Sequence, residues 1–228
     1  QLIFLSVIGF EAKKIPITQI QNILLKPIVY PLNEVVVVNL KRTTEIEVGN
    51  SKNRFFLPET QVYPWILARK IHFESSKPEV KYLKNLIFFT KSETNETIFR
   101  ARVFAINKEG LPSDDLISEE IIVKVKKGKQ KTIVDVSAFK IEVPEEGIVV
   151  GFESLLTQGN QYWQEARVIN SKKTIKVLNY GPHLLYSFET KEESYTSRNG
   201  KWVKQRFSMN HEQESKVLTP AINVTLTN

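Results

Sequence analysis

Glu153 is the one carboxylate set inside an apolar run, Gly147-Ile148-Val149-Val150-Gly151-Phe152-Glu153. A carboxyl group held in such surroundings is a candidate for a raised pKa and for general-acid chemistry. Arg100 and Arg102 stand in a second apolar run, Phe99 to Phe104, two residues apart and therefore on one face of a strand. A buried carboxylate without a partner costs several kcal/mol, and two guanidinium groups on one face supply that partner. The preferred reading is a structural ion pair of Glu153 with Arg100 or Arg102.

Other reactive residue types do not assemble into a recognisable site. His72, His183 and His211 are far apart, and His72-Phe73-Glu74 is one residue short of a His-x-x-Glu zinc spacing. There is no Gly-x-Ser-x-Gly elbow, no glycine-rich phosphate loop and no cysteine. No catalytic residue, metal or cofactor is therefore expected. Asp114-Asp115 offers oxygen ligands of the kind calcium takes, but two adjacent acids read better as a capped turn. A glycosidase drawing its two acids from separate strands stays open as a rival.

Two constellations suit binding. Trp65 follows Tyr63-Pro64, and Tyr162-Trp163 follow Gly159-Asn160-Gln161. Exposed indole or phenol faces beside amides stack on sugar rings and hydrogen-bond their hydroxyls, so Trp65, Tyr162 and Trp163 with Gln61, Asn160 and Gln161 form the candidate ligand-binding set. Trp202, just after a turn, reads instead as a core plug. Lys124, Lys126, Lys127, Lys129 and Lys131 surround Gly128 and make the densest positive patch. With Val123, Val125 and Ile133 alternating against them, they read as the solvent face and tip of a hairpin, or as a contact for acidic polysaccharide or lipid phosphate.

The elements that must position these residues are strands. From Phe55 onward, short β-rich runs are separated by turn signals such as Lys108-Glu109-Gly110, Lys127-Gly128, Glu145-Glu146-Gly147 and Asn199-Gly200, the last a type I′ hairpin signal. Ten strands are predicted: 66–73, 82–90, 98–107, 121–126, 132–135, 147–155, 176–178, 184–190, 201–207 and 221–226. Single helical turns are expected only near Ser137 to Phe139 and Ser113 to Leu116. Ten strands at this spacing predict an antiparallel two-sheet sandwich of jelly-roll type. With 228 residues, the chain fits one large or two smaller β-domains. No apolar run approaches the ~18 residues of a membrane helix. The net charge of +7 spreads 32 basic residues among 25 acidic ones, so nucleic acid is not an expected partner.

The first forty residues carry a further signal. Leu2 to Glu11, Ile15-Pro16-Ile17-Thr18 and Leu32-Asn33-Glu34-Val35-Val36-Val37-Val38 resemble the last strands of the carboxypeptidase-regulatory-like domain, a small transthyretin-like β-sandwich found ahead of outer-membrane receptors and other envelope proteins of Bacteroidetes-type bacteria. The run Leu2 to Phe10 reads as a strand rather than a signal-peptide core, since no basic region precedes it. The family's earlier strands have no counterpart here, so residues 1–38 are expected to be a truncated piece whose edges pair with something else, a second copy of the chain included. Residues 39–54 are expected to form a linker or a short edge strand, and 55–228 the jelly-roll-like domain. Within the latter, Phe99 to Phe104, Gly110-Leu111-Pro112, Val134 to Ser137, Gly147 to Glu153 and Asn199 to Trp202 resemble blocks of envelope proteins that pair the two domain types.

The resemblance implies export to the periplasm or the cell surface and an accessory rather than a catalytic role. The expected function is a non-enzymatic binding or interaction module of the envelope, its partner a polysaccharide or an envelope protein. A glycoside-active enzyme and a structural spacer are the alternatives.

Overall fold

A computed structural model of the chain describes residues 2–5, 10–11, 13–16, 23–27, 44–49, 52–57, 63–73, 80–168, 173–189, 193–205, 208–211 and 214–228. The chain divides into two compact units, Gln1–Leu40 and Lys41–Asn228. Its architecture is all-β and antiparallel.

In the first unit, β1 (Leu2–Leu5) pairs with β2 (Lys13–Pro16), from Leu2 opposite Pro16 to Leu5 opposite Lys13. Phe10 bridges Pro27, the Glu11 amide donates to the Lys26 carbonyl at 2.8 Å, and Lys26 reaches the Glu11 carboxylate at 3.1 Å. The Leu32 to Val38 segment lies outside the described residues.

The second unit begins with β3 (Glu45–Val48), β4 (Trp65–Ile71), β5 (Tyr82–Ser92), β6 (Thr97–Ile106), β7 (Pro112–Asp115), β8 (Ile121–Val125) and β9 (Gly128–Asp135). It continues with β10 (Ile148–Ser154), β11 (Gln161–Arg167), β12 (Thr174–Tyr180), β13 (His183–Leu184), β14 (Tyr186–Glu189) and β15 (Ser194–Arg198). It ends with β16 (Lys201–Lys204), β17 (Ser208–His211), β18 (Glu214–Pro220) and β19 (Ile222–Thr227). The seven-stranded sheet runs β16-β15-β4-β10-β6, with β7 and β8 both on the free side of β6. In the five-stranded sheet, β9 lies along one side of β5, β13 and β19 along the other, and β3 beyond β19. Strands β14-β18-β17 form a small third sheet, and β11-β12 a hairpin of their own.

Alternation explains the layers, because successive strand side chains point to opposite faces. Leu67 and Ile71 of β4, Phe99, Ala101 and Val103 of β6, and Ile148, Val150 and Phe152 of β10 meet Leu86 and Phe88 of β5 and Ile222 and Val224 of β19 in one core. Phe99 stacks on Phe152 at 4.4 Å between centroids and meets Phe88 edge-on at 4.9 Å. Gly147 lets β10 enter this core: its φ is +87°, and a Cβ there would stand 2.3 Å from the Ile71 carbonyl oxygen. Only glycine meets both demands.

The chain departs from the sequence-based expectation at several points. Gly128 is not a hairpin tip: β8 pairs with β6 and β9 with β5, so Lys126 and Lys127 carry the chain from one sheet to the other. Ser113 to Asp115 is strand, not a helical turn. Strands β11, β15, β17 and β18 were not predicted at all, whereas the turn at Ser137–Phe139 is a 3-10 turn as expected. Asn199 and Gly200, with φ of 52° and 73°, close the β15–β16 hairpin between Arg198 and Lys201. Within the stretch read as linker or edge strand, Glu45–Val48 is an edge strand on β19. No helix among the described residues is long and apolar enough to cross a membrane.

Candidate functional site

Glu153 lies directly opposite Arg100 in the β10–β6 register. Its two carboxylate oxygens accept from Arg100 Nη1 at 3.5 and 3.3 Å, and one of them from Arg102 Nη1 at 3.3 Å. Arg100 Nη2 also donates to Glu120 at 2.6 Å, while Arg102 forks onto Asp115 through Nε at 3.2 Å and through Nη2. Charges thus alternate from Glu120 through Arg100, Glu153 and Arg102 to Asp115. Burial works against the charged form of Arg102, but the hydrogen bond and charge of Asp115, helped by Glu153, outweigh it and raise its pKa. Each acid of this network is held by an arginine, which is a structural arrangement. Asp114, beside Asp115 on β7, is exposed.

The aromatic set does not converge. Trp65 is 8% exposed in the main core, with the Arg198 guanidinium 5.1 Å from its ring centroid and 5.0 Å from that of Tyr63. Alternation puts Trp65 on the same face as Leu67, so it packs rather than binds. Asn160 is fully buried: its amide accepts from the Ile98 N–H at 2.8 Å and donates to the Ile98 and Leu155 carbonyls, each at 2.7 Å. The two bonds to Ile98 tie the start of β11 to β6 and the third ties it to the end of β10, so Asn160 is a structural residue. Gln61 lies outside the described residues. Trp202 packs edge-on against Phe104 at 5.0 Å.

Trp163 is different. Strand alternation along β11–β12 places Gln161, Trp163 and Glu165 on one face, across from Tyr180, Leu178 and Lys176. Trp163 is 69% exposed, and no ring or cation contact reaches it among the described residues. Gln161 Nε2 donates to the Tyr180 hydroxyl at 3.2 Å, on the face that also carries Trp163. This face is a shallow platform of one bare indole flanked by amide, phenol and charged groups.

The opposite face of the hairpin anchors it. Tyr162 points there, half-buried, its hydroxyl 2.6 Å from His183 Nε2 and 3.1 Å from Gln164 Oε1, while Asn179 Nδ2 donates to that hydroxyl at 3.0 Å and to Gln164 at 2.6 Å. His183 also meets the Phe56 ring edge-on at 5.4 Å. Burial pushes the His183 imidazole down to about 4, Glu93 opposing and Lys91 assisting, so the ring is neutral at pH 7. Burial likewise pushes Tyr162 up to about 12, with the Glu93 charge adding to it. Sequence reasoning set His183 aside as unrelated to other reactive groups and placed Tyr162 with the ligand-binding residues. The period-two pattern Tyr162, Gln164, Ala166 was the signal that assigns Tyr162 to the inner face.

The five lysines are all exposed but do not share one surface. Lys124 lies on β8, 3.7 Å from Glu96; Lys126 and Lys127 lie on the crossover; Lys129 and Lys131 project from β9 on the face that also carries Ile133, 57% exposed. Ile133 therefore accompanies these lysines rather than alternating with them. His72 is exposed, His183 buried, and no group of three or more His, Asp or Glu among the described residues is placed to hold a metal ion. No family model, curated protein or solved structure matches the chain.

Proposed function

We propose that this chain is a non-enzymatic binding module of the cell envelope whose ligand is a carbohydrate held on the outer face of the β11–β12 hairpin. The observation that carries the reading is the exposure of Trp163 on a hairpin whose other face is fixed by Tyr162, Asn179 and His183. Leaving an indole in water is unfavourable by about 25 cal/mol for each Å² of apolar surface a ligand would cover. A flat ring bordered by Gln161 and Tyr180 suits the C–H face of a pyranose, with directional bonds to its hydroxyls. The envelope location rests on the resemblance of the first forty residues and of the later blocks to exported proteins of Bacteroidetes-type bacteria. A spacer domain has no use for such a ring. A glycan array probed with the whole chain and with Trp163→Ala tests the reading: hits lost in the variant support it, and identical binding by both proteins removes it.

A further inference from the structure

The outer face of the five-stranded sheet holds an open groove of about 310 Å³ lined by Arg54, Phe89, Lys129, Gln130, Lys131 and Leu185. Among the described residues, the lining has three cations and no carboxylate. The Arg54 guanidinium sits 3.9 Å from the centroid of the Phe89 ring, and Lys131 Nζ approaches the same ring at 5.9 Å. Phe89 therefore orients cations and has no open face for stacking a sugar or a base.

Neutralisation of the lysines by the described residues is incomplete. Lys131 is 3.7 Å from Glu47 Oε2, and the other oxygen of Glu47 accepts from Asn223 at 2.6 Å. Lys91 pairs with Glu93 at 2.6 Å. Lys129, directly across from Lys91 in the β5–β9 register, has no acidic partner among the described residues. Like charges opposite one another on adjacent strands destabilise a sheet. An anion in the groove would offset that cost.

We infer that this groove takes carboxylate or sulfate groups, and that the ligand is an acidic polysaccharide. This inference rests on the carbohydrate reading above. The two surfaces are joined by named neighbours: Lys129 faces Lys91, Lys91 faces His183, and His183 meets Tyr162 at the root of the hairpin that displays Trp163. A chain of sugars long enough to pass around the hairpin can lay a ring on Trp163, on the face away from His183, and its acidic groups beside Lys129 and Lys131. The absence of a free stacking ring in the groove argues against single-stranded nucleic acid.

Calorimetric titration of the whole chain with a polyuronate, a sulfated glycan, a neutral glucan and phosphatidylglycerol vesicles, at low and high salt, decides the matter. Either acidic glycan should bind, weaken as salt rises, and bind roughly tenfold or more weakly to a Lys129→Gln, Lys131→Gln double variant. Both lysines are exposed, so the double variant keeps the fold, and its affinity for any bound neutral glucan should be unchanged. Equal acidic-glycan binding by parent and double variant, no anionic binding at all, or binding of vesicles alone would each overturn the proposal. Trp163→Ala with undiminished polyuronate affinity would remove the indole platform while leaving the groove in place.

Discussion

The Tyr162 hydroxyl stands 2.6 Å from Nε2 of His183, joining the β11–β12 hairpin to β13 of the five-stranded sheet. Through this contact one residue of β11 is anchored so that its neighbour, Trp163, can be displayed.

The anchor is sensitive to pH. With a folded pKa of about 4 against an ordinary 6.5, His183 favours the folded state when neutral. Its contribution is complete above pH 6.5 and is lost as pH falls from 6.5 towards 4, amounting to about 3 kcal/mol in all, with about 2 kcal/mol already gone at pH 5. The groups facing it are Tyr162, Phe56, Lys91 and Glu93. Denaturant titrations of the parent and of His183→Gln between pH 7.5 and 5 should show a steeper decline for the parent. Parallel profiles would contradict the assignment.

Removing Glu153 tests the charge network. In Glu153→Leu, Arg100 keeps Glu120 and Arg102 keeps Asp115, so the loss should be modest, about 1 to 2 kcal/mol. Adding Glu120→Gln strips Arg100, 9% exposed, of both carboxylates, and the double variant should lose more than the two single changes together. Additive losses in thermal or denaturant melts would show that the network does not act as a unit.

Gly147→Ala should destabilise by more than about 2 kcal/mol, since the added methyl group meets the Ile71 carbonyl in a backbone conformation that alanine disfavours. Gly110→Ala, also at positive φ but with nothing within 4 Å of the added methyl, should cost less. Equal melting temperatures for the two variants would place the strain elsewhere.

The sandwich was legible because β4, β6 and β10 are short apolar runs bounded by turn signals, and because Asn199-Gly200 admits few conformations other than a tight hairpin. Its connections were less so. Lys127-Gly128 carries the same signal as a hairpin turn, and a glycine with φ of +91° starts β9 equally well after a crossover between sheets. Which of the two occurs depends on long-range pairing that no local pattern records. Among the binding residues, Trp163 was found from residue type and neighbours, but Trp65 and Asn160 were assigned to the same set because exposure cannot be told from identity. Strand β11 was read as part of a loop on account of its Gln, Glu and Arg, although polar residues are what a strand with a solvated face requires. Arg54 was not singled out at all; only the fold brings it over Phe89.

The contact at Trp163 can be observed directly. Trp65 is buried and Trp202 packs on Phe104, which leaves Trp163 as the tryptophan best placed to report on a ligand. Titrating a glycan identified on the array while following tryptophan emission should give a saturable change in the parent. The change should be lost in Trp163→Phe, which keeps a ring and weaker binding, and calorimetry should find no binding by Trp163→Ala at an unchanged melting temperature. Full affinity in Trp163→Ala, or a parent that binds with its emission unaltered, would contradict a carbohydrate site on this hairpin.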